Sequence, residues 1–283
     1  MIAVIGVSGF IGKNLFRYIE RIWPDVLPVY FMHQTGLKNE VQFDELLKSD
    51  TTIDKVVLCG GNSNHNVSNA NLFHTIELDG EYVQRFFEKF SCTKAILISS
   101  AAIYYGCDGV VDEDTCPRPN VNYGLSKRVA EMVFEKEVRY RGCSGVVLRL
   151  THAYGPGERD NRLFKNIAKA VTSDQILKVH GNGESYINPV PVQFLCKVIE
   201  YFLTTNTTLT STEYFNVGSS ESLRVRDIVS ELQKHFDFDY TFEGIEEQPV
   251  TFSTSVEKLR KLGFSSTNTI SNIVSYVRSM IEQ

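Results

Sequence analysis

Tyr123 and Lys127 stand four residues apart where a helical pattern begins, so their side chains share one face of that helix. An ammonium beside a phenol favours the phenolate and lowers a tyrosine pKa that is ordinarily about 10. That makes the phenol a usable acid or base near neutrality. Ser100 closes the apolar run Lys94-Ala-Ile-Leu-Ile-Ser-Ser100 and carries a hydroxyl able to hydrogen-bond a substrate hydroxyl or carbonyl. A Tyr-x-x-x-Lys spacing alone is also what a solvated helix face shows. Its weight comes from what precedes it along the chain.

What precedes it is a glycine turn. Ala3-Val-Ile-Gly6-Val-Ser-Gly9-Phe-Ile-Gly12 begins as a β-branched apolar run, and Ile11, Leu15, Phe16 and Ile19 continue at helical spacing. The pattern reads as strand, tight turn, helix. Gly6 allows the turn, Gly9 admits a pyrophosphate, and Gly12 lets helix and strand pack closely. The phosphates would meet the free N–H groups of the first helical turn, at Phe10 and Ile11, and the positive end of its dipole. The spacing is G-x-x-G-x-x-G, not the commoner G-x-G-x-x-G, and three glycines can also make a turn and nothing more.

A second glycine pair follows the strand Asp54-Lys-Val-Val-Leu-Cys59-Gly60-Gly61 and suits the close approach of a flat ligand. Between them, the strand Val29–Met32 ends at His33-Gln34, with Lys38 further on. Dinucleotide folds that take NAD usually place a carboxylate there for the ribose hydroxyls. A neutral-to-basic site suits a 2′-phosphate better, so NADP(H) is favoured and NAD(H) remains possible. The bland alternative is a polar loop.

These residues need elements to hold them, and strand and helix patterns alternate through the first half of the chain. Helical period runs over Asn71–Phe90, with Leu72, Ile76, Val83, Phe86 and Phe87 as its stripe, and again from Tyr123 to Gly142. Ser144–Leu150 is a further apolar strand. Alternation of this kind argues for an α/β fold, a doubly wound parallel (Rossmann) sheet covered on both faces. Residues 1–157 would form the dinucleotide-binding domain, with 190–218 returning to it. Residues 158–189 and 219–283 would form a smaller C-terminal substrate-binding lobe, with the helices Leu163–Thr172, Val225–Phe236 and Ile270–Ile281.

Composition narrows the classes. The 283 residues are 42% hydrophobic with a net charge of −5, which offers no basic footprint for nucleic acid. No apolar run reaches membrane-spanning length. Six scattered cysteines without a C-x-x-C pair read as reduced thiols of a cytoplasmic protein. His65, His74 and His180 lack metal-ligand spacing, so no metal site is expected. Phe86, Phe87 and Phe90 read as helix packing or a subunit contact, and Tyr104 and Tyr105 as cleft-lining or core rings.

With these motifs in order, the sequence resembles the extended short-chain dehydrogenase/reductase superfamily, in its NAD(P)-dependent epimerase/dehydratase branch. The resemblance rests on Gly6-Val-Ser-Gly9-Phe-Ile-Gly12, Ser99-Ser-Ala-Ala-Ile-Tyr104, Tyr123-Gly-Leu-Ser-Lys127 and Arg149-Leu-Thr-His-Ala-Tyr-Gly-Pro156. Gly181-Asn-Gly183, Phe215-Asn-Val-Gly218 and Lys258-Leu-Arg-Lys-Leu-Gly263 resemble markers of the family's substrate-binding half.

The resemblance implies a nucleotide-sugar enzyme and a homodimer built on the helices starting near Asn71 and Tyr123. It assigns Tyr123 as acid/base, Lys127 to the nicotinamide ribose, and Ser100 to the reacting oxygen, with Ala101, His152 and Tyr186 near the substrate. Glu77 and His152 stand where asparagines are common. The arginine usual after Gly183 is absent, which leaves Arg159, Arg162 or Lys165 as phosphate partners, or as plain solvated charges. Ala101 and Ala102 occupy the acid/base positions that dehydratases use. Reduction of a 4-keto sugar by NADPH is therefore the first expectation, epimerisation the second, and a dinucleotide-sensing regulator the third.

Overall fold

Period-two burial builds the centre of the molecule. In Lys94–Ser100, Ala95 and Leu97 pack toward one face of the sheet while Ile96 and Ile98 pack toward the other. A strand apolar on both faces belongs inside a covered parallel sheet. The computed structural model describes the chain except residues 63–67, 69, 174, 206–210, 246–248, 267–268 and 283, so His65 lies outside the described residues.

Seven strands make the sheet: β1 (Ile2–Ile5), β2 (Leu27–Tyr30), β3 (Val41–Gln42), β4 (Lys55–Leu58), β5 (Lys94–Ser100), β6 (Ser144–Leu150) and β7 (Thr212–Val217). Their order is β7-β6-β5-β4-β1-β2-β3 and every pair is parallel. The winding reverses between β1 and β4, and a crevice opens at such a switch point beyond the carboxyl ends of the strands. This is the doubly wound α/β fold that the alternation of patterns implied.

On one face lie the first helix (Phe10–Ile19) and the helix Val192–Thr204, which bury Leu15, Phe16, Ile19, Leu195 and Ile199. Each fully buried aliphatic chain contributes about 1.5–3 kcal/mol. Gly12 sets how near the first helix can come, because a Cβ there would lie 2.2 Å from the Gly6 carbonyl oxygen. The other face holds the helices Phe43–Lys48, Tyr82–Lys89 and Asn122–Arg141. Phe86, Phe87 and Phe90 are buried there, with the Phe87 ring 6.0 Å from Phe134, so they are packing residues rather than surface.

Two local differences from the sequence reading have clear causes. β2 begins at Leu27 and runs through Pro28, ending at Tyr30 instead of Met32. The Val29 carbonyl accepts from Gly6 N on the β1 side, so residue 28 faces β3, and pairing with β3 starts only at Val29. The N–H that proline lacks therefore removes no ladder bond. The second difference is a π-helical turn, Glu77–Glu81, between Leu72–Ile76 and Tyr82–Lys89.

Beyond the sheet, the helices Leu163–Ser173, Val225–Gln233 and Thr269–Ile281 pack around Ile167, Ile228, Leu232 and Ile273 with the paired strands Leu177–His180 and Tyr240–Glu243. Among the described residues no helix is long and apolar enough to cross a membrane.

Candidate active site

A cleft of about 420 Å³ lies at the carboxyl ends of the central strands. Gly9, Phe10 and Ile11 line it from the first turn, and Cys59, Gly60 and Gly61 from the end of β4. Ser100, Ala101, Tyr123, Lys127 and His152 complete its wall. Residues from five segments up to 143 positions apart in sequence thus meet around one space.

Two expected residues lie elsewhere. His33 is exposed and outside the cleft lining, and Tyr186 packs under the Arg224 guanidinium, 5.5 Å away, while its neighbour Ile187 faces the cleft. Gly6 and Gly12 sit beneath the first turn, shaping it. The rings of Tyr104 and Tyr105 separate: Tyr104 is fully buried, whereas Tyr105 lines the cleft.

Strand alternation divides the two serines. Ser100 faces the cleft and its Oγ accepts from Ala102 N at 3.1 Å, capping the short turn Ala101–Tyr104. Ser99 points the other way and donates to Glu131 Oε1 at 2.7 Å. Glu131 also takes Arg149 in two bonds of 3.1 Å, and Arg149 donates to the Tyr104 hydroxyl at 2.6 Å. This buried network ties the end of β5 to β6 and to the long helix.

Tyr123 and Lys127 occupy the first turns of Asn122–Arg141, with the Lys127 ammonium 5.5 Å from the Tyr123 ring centre. Lys127 is buried and its Nζ lies 2.9 Å from Asp79 Oδ1. Asp79, in the π turn, also accepts from Ser126 Oγ at 2.7 Å and from Asn62 N at 2.8 Å. Burial pulls the Lys127 pKa down, but the charge of Asp79, helped by Tyr123 and the Asp79 hydrogen bond, carries it above the ordinary lysine value. Sequence reasoning passed over Asp79. The available signal was a carboxylate at the apolar stripe's own spacing, between Ile76 and Val83.

Across the cleft, Glu158, Arg159 and Arg162 face the same space, while Lys165 pairs with Asp160 at 2.9 Å. Burial pushes the Glu158 carboxyl up to about 7 against the pull of a Tyr276 hydrogen bond. The Tyr276 hydroxyl lies 3.0 Å from Glu158 Oε1 and 2.8 Å from the Gly155 carbonyl oxygen. Among the described residues no group of three or more His, Cys, Asp or Glu is placed to hold a metal ion.

The cleft fits a dinucleotide by two observations. Gly9 caps the first helix without a side-chain hydrogen bond, which leaves its N–H groups to an anion. Gly61 has φ +100°, and a Cβ on it would lie 2.0 Å from Asp79 Oδ1 and 2.9 Å from Lys127 Nζ, so only bare backbone passes over the ion pair. The loop after β2 does carry a carboxylate, Glu40, but it accepts from Thr35 N, Thr35 Oγ1 and Gly36 N within its own loop.

A model of the NAD dependent epimerase/dehydratase family matches residues 2–218. The chain is 26% identical over 151 residues to the dTDP-4-dehydro-6-deoxyglucose reductase of Escherichia coli, a match covering 50% of this chain and 45% of that protein. The chain therefore spans about half the length of that curated relative. In fold it is similar to the UDP-glucuronic acid 4-epimerase from Bacillus cereus, solved with UDP-glucuronic acid and NAD: TM-score 0.86, 21% identity, 100% of this chain and 99% of that one. It is also similar to RMD from Pseudomonas aeruginosa, solved with NADPH: TM-score 0.80, 20% identity, 100% of this chain and 99% of that one.

Proposed function

The chain belongs to the NAD dependent epimerase/dehydratase family, and from that premise we propose that it reduces the 4-keto group of a nucleoside-diphosphate sugar with NADPH. The observation that carries the reading is the convergence of Ser100, Tyr123 and Lys127 on one cleft with Gly9, Gly60 and Gly61. Gly9, Phe10, Ile11, Cys59, Gly60 and Gly61 would hold the dinucleotide, with Lys127 at its nicotinamide ribose. When bound, it supplies the hydride.

The chain's own residues then manage the oxygen. Ser100 hydrogen-bonds the ketone oxygen and steadies the charge that develops there. Tyr123 donates the proton, and Lys127 keeps a positive charge beside the phenol. His152, Ala101, Arg159 and Arg162 line the same cleft; the first two would border the sugar, and the two arginines would supply the cations a diphosphate needs. Ala101 and Ala102 offer no acid or base for loss of water. Leu125 and Met132 expose apolar surface on the long helix, as do Phe73 and Leu78 on the segment beside it, in keeping with a homodimer paired there.

A 4-keto-6-deoxy nucleotide sugar offered with NADPH should consume it mole for mole. The second reading is an epimerase, favoured by the likeness in fold to the Bacillus cereus enzyme along the whole chain. Conversion of a sugar nucleotide to its epimer with no net change in the reduced-nicotinamide absorbance would replace the first reading with the second. Inertness toward uridine-, thymidine-, guanosine- and cytidine-diphosphate sugars would overturn both.

A further inference from the structure

We propose that Asp79 is the positioning residue of this site, holding the Lys127 ammonium under Gly61 and balancing its charge, so that Tyr123 works beside an ion pair and not a bare cation. The proposal rests on the reading of Tyr123 and Lys127 as proton donor and partner.

Three separate segments are shaped around this one carboxylate. The π turn Glu77–Glu81 turns both Asp79 and Gly80 inward, and Gly80 settles on the long helix near Val129 and Val133. The Asp79 side chain is wholly screened from water and takes donors from Lys127, Ser126 and the backbone of Asn62. The loop after β4 has no room for a side chain at position 61 because that space holds the ion pair. π turns concentrate at functional sites, and a sealed carboxylate aimed at a catalytic lysine gives this one a task.

The other titratable groups facing the pair are Tyr123 on the long helix and Tyr82 on the segment following Asp79, with Cys59 at the end of β4 acting on Tyr82. Burial pushes both Tyr82 and Cys59 up, so both stay neutral at physiological pH. The balance of charge beside Tyr123 is then set by Asp79 and Lys127. Removing the negative member acts on both Lys127 and Tyr123. Lys127 loses the charge that offsets its burial and gives up its proton at lower pH. While it remains charged, it is uncompensated and makes Tyr123 easier to ionise.

Asp79→Asn tests this with little change of shape. The amide oxygen still accepts from Lys127 and Asn62, and the amide nitrogen can donate to Ser126 Oγ, which keeps its own bond to the Tyr123 carbonyl oxygen at 2.9 Å. The ionisation of Tyr123 is read without substrate as the tyrosinate absorbance lost between Asp79→Asn and Asp79→Asn/Tyr123→Phe, against the same difference in the wild-type background. It should move to lower pH by about one pH unit or more. The pH profile of kcat should shift the same way, with KM changed less than about threefold. A Tyr123 titration that coincides with wild type overturns the proposal.

A thermal cycle provides the second readout. Lys127→Met strands a buried carboxylate and should lower Tm by several degrees, and adding Asp79→Asn should recover most of that loss. If the double variant is no more stable than Lys127→Met, Asp79 is not coupled to Lys127 and the proposal fails. Because the absorbance and thermal readouts need no sugar, inertness toward every sugar nucleotide would overturn only the reaction, not the coupling.

Discussion

Arg149 grips Glu131 in two parallel hydrogen bonds of 3.1 Å, with 3% of the arginine side chain and none of the glutamate exposed. The pair lies directly behind the serine segment, since Ser99 donates to the same Glu131 oxygen that accepts from Arg149 Nε. Breaking such a pair leaves a charge buried without a partner, which costs about 3–5 kcal/mol. Glu131→Ala should therefore lower Tm by roughly 10 °C. Replacing both partners, as Glu131→Leu/Arg149→Met, should recover much of that loss. A double variant as unstable as Glu131→Ala would contradict the account.

Tyr123→Phe removes the proposed proton donor while leaving the ring in the cleft wall. Turnover should fall about 10²–10⁴-fold, with dinucleotide affinity within about twofold of wild type, because the phenol is needed mainly in the transition state. Steady-state kinetics and a nicotinamide fluorescence titration check the two halves. Near-normal turnover would remove Tyr123 from the mechanism.

The loop after β2 keeps its one carboxylate to itself, with Glu40 bound to Thr35 and Gly36, and exposes His33, Gln34 and Lys38. Nothing among these three repels a 2′-phosphate. NADP(H) should bind at least as tightly as NAD(H) in parallel titrations, and a clear preference for NAD(H) would refute this.

Glu158 predicts a pH dependence of stability. In the folded chain its carboxyl holds its proton up to about 7, because burial disfavours the charged form; unfolded, it releases the proton near 4.5. Between those values the folded state binds more protons, so stability falls as pH rises and levels off above the upper one. The loss amounts to about 3 kcal/mol at most. Glu158→Gln should flatten that slope and raise Tm at pH 8 relative to wild type. Parallel Tm curves for the two proteins across pH 5–8 would show that Glu158 does not cause the slope.

The glycine turn, the serine at the end of β5 and the Tyr123/Lys127 pair were all legible in the chain itself. Each depends on chemistry local to a few residues: a bare backbone at a turn, a hydroxyl at a strand end, a spacing of four on a helix. The doubly wound sheet was legible for a similar reason, since period-two and period-3.6 patterns report which elements bury which faces. Pairings across the fold were not. Asp79 and Lys127 are 48 positions apart and meet because a π turn and Gly61 close around them. Glu131 finds Arg149, and Glu158 finds Tyr276, only once helix and strand faces are docked. Tyr186 and His33 show the same limit from the other side. Their motifs put them near the cleft, but Tyr186, on the short strand Tyr186–Ile187, packs on Arg224 of the strand paired with it, and His33 is exposed, because pairing across the fold and not spacing along the chain decides what a residue at the cleft's edge meets.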